Sequence, residues 1–180
     1  MNKGDKQEII YGVYIKSMLE KKVYIPITQI GNNIEEVLTK KINKIFSGIC
    51  INEGFVKPDS AVLIRHSSGI IQNEDIEFVV LFECMVAHPV EGQIIECTSK
   101  TITKAGIHAH VIDGEHVPVH VFIAKDHHIK DDNFNSIKED MSLKVKIIGI
   151  RFELNDPHIC AIGKLLDKEN EIIRIPKKKR

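Results

Sequence analysis

Three histidines on two neighbouring segments are the strongest candidates for chemistry in this sequence. His108 and His110 lie in one predicted strand, and His120 lies in the next. Residues two apart on a strand point to the same face, so the first two imidazoles share one side of the sheet, and pairing of the strands would place His120 opposite them. Three histidines form a known catalytic zinc site. Contact with RNA or a partner, and ordinary surface or packing histidines, are the alternatives.

We predict no bound metal and no other cofactor for these histidines. Metal-bound histidines usually have a supporting carboxylate or cysteine, and none can be recognised beside this group in the sequence. His127 and His128 lie further along, in a polar segment, and are predicted to be solvated. A metal site is therefore the weakest of the three interpretations, after contact with RNA or a partner and ordinary surface or packing histidines.

The sequence patterns that usually mark enzymes are not found. Ser67-Ser68-Gly69 is a turn without the G-x-S-x-G context of a nucleophile elbow, and neither a P-loop nor a GxGxxG motif occurs. No cysteine has an evident histidine partner in an exposed, electropositive setting. The acidic pairs Glu35-Glu36 and Asp131-Asp132 are typical of helix capping and of solvated loops. We therefore predict no catalytic residues and a protein that is not an enzyme.

The four cysteines indicate a reduced compartment. They are widely spaced, without a CxxC pair, and each lies in an apolar, strand-like run, namely at Cys50, Cys84, Cys97 and Cys160. Free cysteine in such runs behaves as a small buried hydrophobe. An intracellular, reduced protein is the simplest interpretation. The N-terminus has no signal-peptide pattern, and no apolar run approaches the roughly 20 residues of a membrane helix, so no membrane association is expected.

Charge is balanced over the chain but is uneven along it. The 180 residues have a net charge of +0 and 43% hydrophobic side chains, which predicts a folded protein. Residues 1–87 have 10 basic and 11 acidic side chains, whereas residues 88–173 have 10 basic and 14 acidic ones. The last seven residues add five basic groups, including Lys177 to Arg180. A cationic field that attracts nucleic acid is therefore expected at the C-terminal tail and not on the body.

The first half of the chain predicts one helix packed on a curved antiparallel sheet. Apolar residues from Ile34 to Ser47 recur at helical spacing after the N-cap residue Asn33, and Gly48 ends the helix. The predicted strands are residues 9–16, 22–27, 49–51, 55–56, 61–64 and 76–87. These elements form an α+β domain over residues 1–87.

A junction separates this domain from the second half. The segment from Ile76 to Glu96 is one long apolar strand, a break at His88-Pro89, and a second strand that begins after Gly92. Proline cannot donate to a sheet ladder, and it forces the preceding residue into extended geometry. We therefore predict two domains, residues 1–87 and residues 88–180.

The second half has the pattern of a five-stranded barrel. The predicted strands are residues 93–103, 107–112, 117–122, 143–152 and 158–166, joined in part by hairpin turns at Lys104-Ala105-Gly106 and Asp113-Gly114-Glu115. A polar, irregular insertion at residues 125–140 separates the third strand from the fourth. Five strands with an insertion at this point predict the Greek-key barrel of the OB-fold, so the whole chain is mostly β.

Four segments, in this order, resemble one known family. They are Gly48 to Val56 after the helix, the junction MVAHPVEGQIIE from Met85 to Glu96, the hairpin Lys104-Ala105-Gly106-Ile107, and the pair Lys146–Arg151 with Ala161–Leu165. Together they resemble the seventh-subunit, or stalk, family of multisubunit DNA-directed RNA polymerases of archaea, eukaryotes and some large DNA viruses. The resemblance covers roughly residues 10–168.

The resemblance implies a non-catalytic subunit whose first domain, the tip, docks on the polymerase core. The implied partners are the largest subunit, a small sixth-type subunit and a helical fourth-type stalk subunit. The protein would lie in the nucleus or cytoplasm, or be packaged in a virion. The residues expected to contact the core are in two tip loops, residues 29–33 and 65–71, and are Gln29, Ile30, Gly31, Asn32, Ser68, Gly69, Ile70 and Ile71.

The resemblance also implies that the barrel lies near nascent single-stranded RNA. The candidate RNA-binding residues are Lys100, Lys104, His108, His110, His120, Phe122, Lys177, Lys178, Lys179 and Arg180. The barrel is net acidic and poor in aromatic residues, so RNA contact is expected to be weak and sensitive to salt. The alternative function is a free-standing OB-fold RNA-binding protein of translation or RNA metabolism.

Overall fold

The computed structural model of the protein describes residues 12–128 and 132–166, which form a mostly β structure with one long helix. The first domain contains β1 Tyr14–Pro26, α1 Ile34–Phe46, β2 Cys50–Ile51, β3 Gly54–Val56, β4 Val62–His66, β5 Ile70–Gln72 and β6 Asp75–Ala87. The second contains β7 Ile94–Ile102, β8 Gly106–Asp113, β9 His116–Ala124, α2 Asp132–Ser136, β10 Ser142–Arg151 and β11 Ile159–Leu165. The predicted fold class, a helix-bearing sheet followed by a five-stranded barrel, is confirmed.

The sheet of the first domain is built around β6. Strand β1 pairs with β6 over its whole length, from Tyr14 opposite Ala87 to Pro26 opposite Asp75. On its other side, β6 pairs in turn with β5, β4 and β3. The prediction of two short strands at residues 9–16 and 22–27 is wrong for its described part, because residues 14–26 form one continuous strand. Lys21 faces the buried side, but its ammonium group lies 2.7 Å from Glu53 Oε1, so its charge is paired and does not end the strand.

Helix α1 covers one face of this sheet, as predicted. Leu38 and Ile42 are fully buried, and the Phe46 ring stacks on Phe82 at a centroid distance of 5.6 Å. The backbone carbonyl of Asn33 accepts the first helical hydrogen bonds, although its side chain makes no capping bond. Gly48, with a φ of 74°, follows the helix in the left-handed conformation that glycine adopts readily.

The second domain is a closed barrel with the strand order β7-β8-β9-β11-β10. All neighbours are antiparallel except β9 and β11, which pair in parallel from Ile159 opposite Val119 to Gly163 opposite Ile123. Side chains of β11 alternate strictly between the barrel interior and the surface. This topology confirms the OB-type barrel and places the outer faces of β8, β9 and β11 side by side.

The insertion between β9 and β10 is more ordered than its composition predicts. It contains a short 3-10 helix, Lys125–His128, and α2. His127 is exposed, as predicted, but His128 is buried: its Nε2 accepts the Leu165 N–H at 3.2 Å, and its ring stacks on Phe134. The predicted solvation of His128 is therefore wrong, since its ring packs beside the end of β11.

The two domains contact each other closely. The Cys50 N–H donates to the Asp156 carbonyl, the Asn155 N–H donates to the Cys50 carbonyl, each at 2.8 Å, and Lys57 Nζ lies 2.7 Å from Asp113 Oδ2. The apolar core of the barrel also includes Val13, Cys50, Phe55 and Ala87 from before the junction. The boundary between residues 87 and 88, which remains a prediction, coincides with the end of β6. None of the helices in the described ranges is long and apolar enough to cross a membrane.

Candidate nucleic-acid interface and docking surface

A shallow groove on the outer face of the barrel contains four of the ten predicted RNA-binding residues: His108, His110, His120 and Phe122. Its volume is about 200 Å³, and it lies across β8, β9 and β11. His110 lies directly opposite His120, and His108 directly opposite Phe122. The sequence-based expectation that these histidines share a face is therefore correct, and the parallel strand β11 adds Cys160 beside His120.

The groove is organised by stacked rings. The His110 and His120 rings are 4.2 Å apart and nearly parallel, and the His158 ring lies 3.6 Å beyond His120. The His108 ring is tilted against Phe122 at 4.9 Å. His158 is not among the predicted residues, because only the parallel pairing of β9 with β11 brings the residue before β11 to this site. No local sequence signal indicates that pairing.

Two imidazoles of the stack, His110 and His120, have pKa values below the usual value for histidine. Burial, and then the neighbouring His158 and His110, lower the pKa of His120 to about 4. Burial, Lys100 and His158 also lower the pKa of His110 below its usual value. His110 and His120 therefore present flat, uncharged rings near neutral pH, which suit the stacking of bases and do not attract phosphates.

The stacked arrangement does not suit a metal ion. Parallel rings direct their ring nitrogens along parallel planes, so their lone pairs do not converge on one point. In the part of the chain that the structure describes, no group of three or more histidine, cysteine or acidic side chains has the geometry to hold a metal. The zinc interpretation of His108, His110 and His120 thus finds no geometric support.

The predicted cationic residues are only partly at the groove. Lys100 lies close enough to lower the pKa of His110, but its Nζ is 2.6 Å from Asp140 Oδ1, so its charge is paired. Lys104 is exposed in the turn between β7 and β8. The predicted RNA-binding residues Lys177, Lys178, Lys179 and Arg180 lie outside the described residues.

Cys160 departs from the predicted behaviour of the cysteines. Cys50, Cys84 and Cys97 are buried free thiols, as expected, and burial raises the pKa of Cys97 to about 12. Cys160 is also free but exposed, because it occupies an outward position of β11. The prediction that all four are buried is therefore wrong at this position, since an apolar run does not reveal which face a residue occupies.

The structure brings the two predicted docking segments to the same end of the first domain. A 3-10 turn, Ile27–Gln29, follows β1, and the Ile27 N–H donates to the Glu74 carbonyl in the turn between β5 and β6 at 3.1 Å. Gln29, Ile30, Gly31 and Asn32 continue from that turn and are exposed. On the neighbouring hairpin, Ile70 and Ile71 expose 57% and 71% of their surface. This apolar end of the sheet, which also includes Ile27, is called the docking end below.

The second predicted loop, at residues 65–71, is shorter than expected. Only residues 67–69 are outside strands, and they contain the predicted contacts Ser68 and Gly69, whereas Ile70 and Ile71 belong to β5. A Cβ atom at Gly69 would lie 2.5 Å from Ile76 Cγ2 and 2.9 Å from Phe78 Cζ. The loop backbone therefore passes so close to these two side chains that only glycine fits. The turn at the sheet end is instead formed at Asn73, whose φ is 58°.

Comparison with known proteins supports one family. No protein-family profile matches the chain. DNA-directed RNA polymerase II subunit RPB7 of Glycine max and DNA-directed RNA polymerase II subunit 7 of Arabidopsis thaliana are each 26% identical over 186 residues, which cover 91% of this chain and 98% of theirs. A candidate DNA-directed RNA polymerase subunit of Acanthamoeba polyphaga mimivirus is 28% identical over 171 residues, covering 86% of this chain and 83% of its own.

A helix-bearing sheet joined to a closed OB-type barrel defines a two-part, mostly β protein. The relatives, aligned over both parts, support the seventh-subunit stalk family of DNA-directed RNA polymerases for this chain. The free-standing RNA-binding alternative is not favoured, because these relatives are named as polymerase subunits.

Proposed function

We propose that this protein is a non-catalytic subunit of a DNA-directed RNA polymerase that docks on the core and holds its barrel near nascent RNA. The observation that carries this proposal is the similarity to RNA polymerase II seventh subunits over 91% of the chain. Because that alignment covers both the sheet domain and the barrel, both parts of the role are proposed together.

The docking end supplies the attachment to the polymerase. Its exposed isoleucines are rimmed by the polar residues Gln29 and Asn32, and such an arrangement suits an apolar pocket on a partner. The proposed partners there are the largest subunit and a small sixth-type subunit. A helical fourth-type subunit is a further proposed partner, without an assigned surface.

The barrel supplies a weak contact with emerging single-stranded RNA. The outer face of the second and third strands of OB-folds is where oligonucleotides bind, and β8 and β9 hold that place here. His108 and Phe122 offer rings for stacking, and the neutral imidazoles of His110 and His120 extend the same surface. The protein would act wherever the polymerase does, in the nucleus, the cytoplasm or a virion.

An affinity pull-down from the native source at moderate salt, followed by mass spectrometry, tests the docking end. The variant is Ile70→Asp with Ile71→Asp, which places two charges in the proposed apolar contact. The matched control is Val62→Asp with Ile64→Asp, because these residues are similarly exposed on the adjacent strand β4. We expect the wild type and the control to recover the large polymerase subunits, and the docking variant to lose them.

Thermal unfolding followed by circular dichroism establishes that both variants are folded. Equal recovery of the polymerase by the docking variant would show that the isoleucines of β5 are not the contact. Recovery of only RNA and ribosomal proteins by the wild type would overturn the polymerase role and favour the free-standing RNA-binding protein.

A further inference from the structure

Two lysines lie directly opposite each other on the outer face of the barrel. Lys146 of β10 and Lys164 of β11 are cross-strand partners, and both are exposed. Neither forms an ion pair with any residue in the described ranges. Like charges in this position repel each other and destabilise the sheet, so the pair is unfavourable unless an anion lies between the two ammonium groups.

Two further lysines lie at the same end of the barrel. Lys104 is in the turn before β8, Lys125 follows β9, and the Lys125 N–H donates to the Ala105 carbonyl at 2.9 Å. At this end of the barrel the neighbouring strands are β8, β9, β11 and β10, in that order. The distance across these four strands, and so across the four lysines, is three strand spacings, roughly 14 Å. Like the first pair, Lys104 and Lys125 form no ion pair within the described residues. This group is called the lysine end: Lys104, Lys125, Lys146 and Lys164.

The lysine end adjoins the groove of stacked rings. Phe122 in the groove lies opposite Ile162 of β11, and Lys164 is the next outward residue after Ile162, about 7 Å further along the strand. At the other end of the barrel are the contacts with the first domain, at Asp113 and at Asn155. The unpaired positive charge therefore faces away from the docking end.

We propose that the lysine end binds the phosphate backbone of a single-stranded RNA whose bases stack in the neighbouring groove. Single-strand binding sites combine cations that follow the backbone with rings on which bases stack. In the groove, His110 and His120 supply stacked rings that contribute no charge near neutral pH, and Lys100 is already paired with Asp140. The lysine end supplies the missing charge. This inference rests on the proposed RNA contact of the barrel and assigns its phosphate-binding residues.

Fluorescence anisotropy of the full chain with a 5′-fluorescein-labelled 12-nucleotide single-stranded RNA tests this assignment. The variant is Lys146→Gln with Lys164→Gln. Each phosphate contact on a single strand contributes about −0.7 to the slope of log K against log salt, so the variant should reduce the steepness by about 1.4 and weaken binding about 25-fold at 0.1 M salt. The control, Lys40→Gln with Lys44→Gln on α1, removes the same charge from exposed positions of the first domain and should bind like the wild type.

A second variant, Phe122→Leu, separates stacking from charge. We expect it to lower affinity about fivefold or more with an unchanged salt slope, because base stacking involves no counterion release. Circular dichroism melting of each variant establishes that the barrel is folded.

Several results would overturn the inference. They are an unchanged affinity and slope in the lysine variant, an equal loss in the α1 control, and competition by polyglutamate as effective as by unlabelled RNA. Absence of RNA binding by the wild type at low salt would also overturn it. Recovery of polymerase subunits by the same lysine variant is measured in parallel, so a failed RNA site is distinguished from a failed polymerase role.

Discussion

Replacing Gly163 with alanine tests whether the barrel is packed as tightly as its geometry indicates. Gly163 lies in β11 between β9 and β10, with no side chain on the inner face of the barrel. An added Cβ would overlap Val145 Cγ1 and would lie 3.1 Å from Val121 Cγ1 and 3.4 Å from the Lys146 carbonyl oxygen. Both valines are fully buried, so neither side chain can move towards solvent to make room.

The expected cost is that of overpacking a well-filled core, about 1–3 kcal/mol. For a chain of this length, 1 kcal/mol corresponds to about 2–4 °C in Tm, so the variant should melt about 2–12 °C below the wild type. Thermal and urea unfolding followed by far-ultraviolet circular dichroism measures this change. Tyrosine fluorescence is a second probe. The three tyrosines all precede the barrel in sequence, so their signal tests whether the first part of the chain unfolds together with the barrel.

Gly149→Ala is the matched control. Gly149 lies in the neighbouring strand β10, and a Cβ there would meet no atom within 4 Å. Its substitution should therefore change stability by less than about 0.5 kcal/mol. If Gly163→Ala is no more destabilising than Gly149→Ala, the inferred contact between β11 and the two valines does not exist in the folded protein.

Two further outcomes follow from the titrating and reactive groups. Because His120 has a pKa of about 4 when folded and about 6.5 when unfolded, the unfolded state binds more protons between these values, so stability should be full above about pH 6.5 and fall as the pH drops towards 4. Urea midpoints at pH 7.5 and 5.0 should differ more for the wild type than for His120→Gln, and equal differences would refute the assignment. An Ellman assay at pH 8 should titrate one thiol of four in the native protein and none in Cys160→Ser; rapid reaction of two or more native thiols would contradict the burial of Cys50, Cys84 and Cys97.

Local sequence signals were sufficient for most of the architecture. The helix from Ile34 was predictable because its apolar face repeats every three to four residues and Gly48 ends it. The hairpins at Lys104 to Gly106 and Asp113 to Glu115 were predictable because turn residues separate alternating apolar runs. These features depend on residues close together in the chain, which is where propensity and periodicity carry information.

The composition of the sites depends on contacts between distant segments and was less predictable. His158 and Cys160 reach the groove only through the parallel pairing of β9 with β11, and Lys146 meets Lys164 only in one register of β10 with β11. The net charge of residues 88–173 is negative, which predicted no cationic surface on the barrel. That sum conceals the local cluster of lysines, because it includes all the acidic residues of the barrel. The burial of His128 likewise depends on the distant Leu165 N–H.

Strand β6 has a mechanical consequence. It runs unbroken for 13 residues, about 40 Å, from pairing with Gln72 at the docking end to Ala87 in the core of the barrel. Backbone hydrogen bonds fix Cys50 to the barrel loop that contains Asn155 and Asp156. One continuous strand therefore connects the docking end with the core of the barrel, so a force on the barrel is expected to be transmitted along β6 to the docking end. If the docking end is the attachment, as proposed, a small rotation there would displace the lysine end by a larger distance, because the lysine end lies at the opposite end of the barrel from its contacts with the first domain.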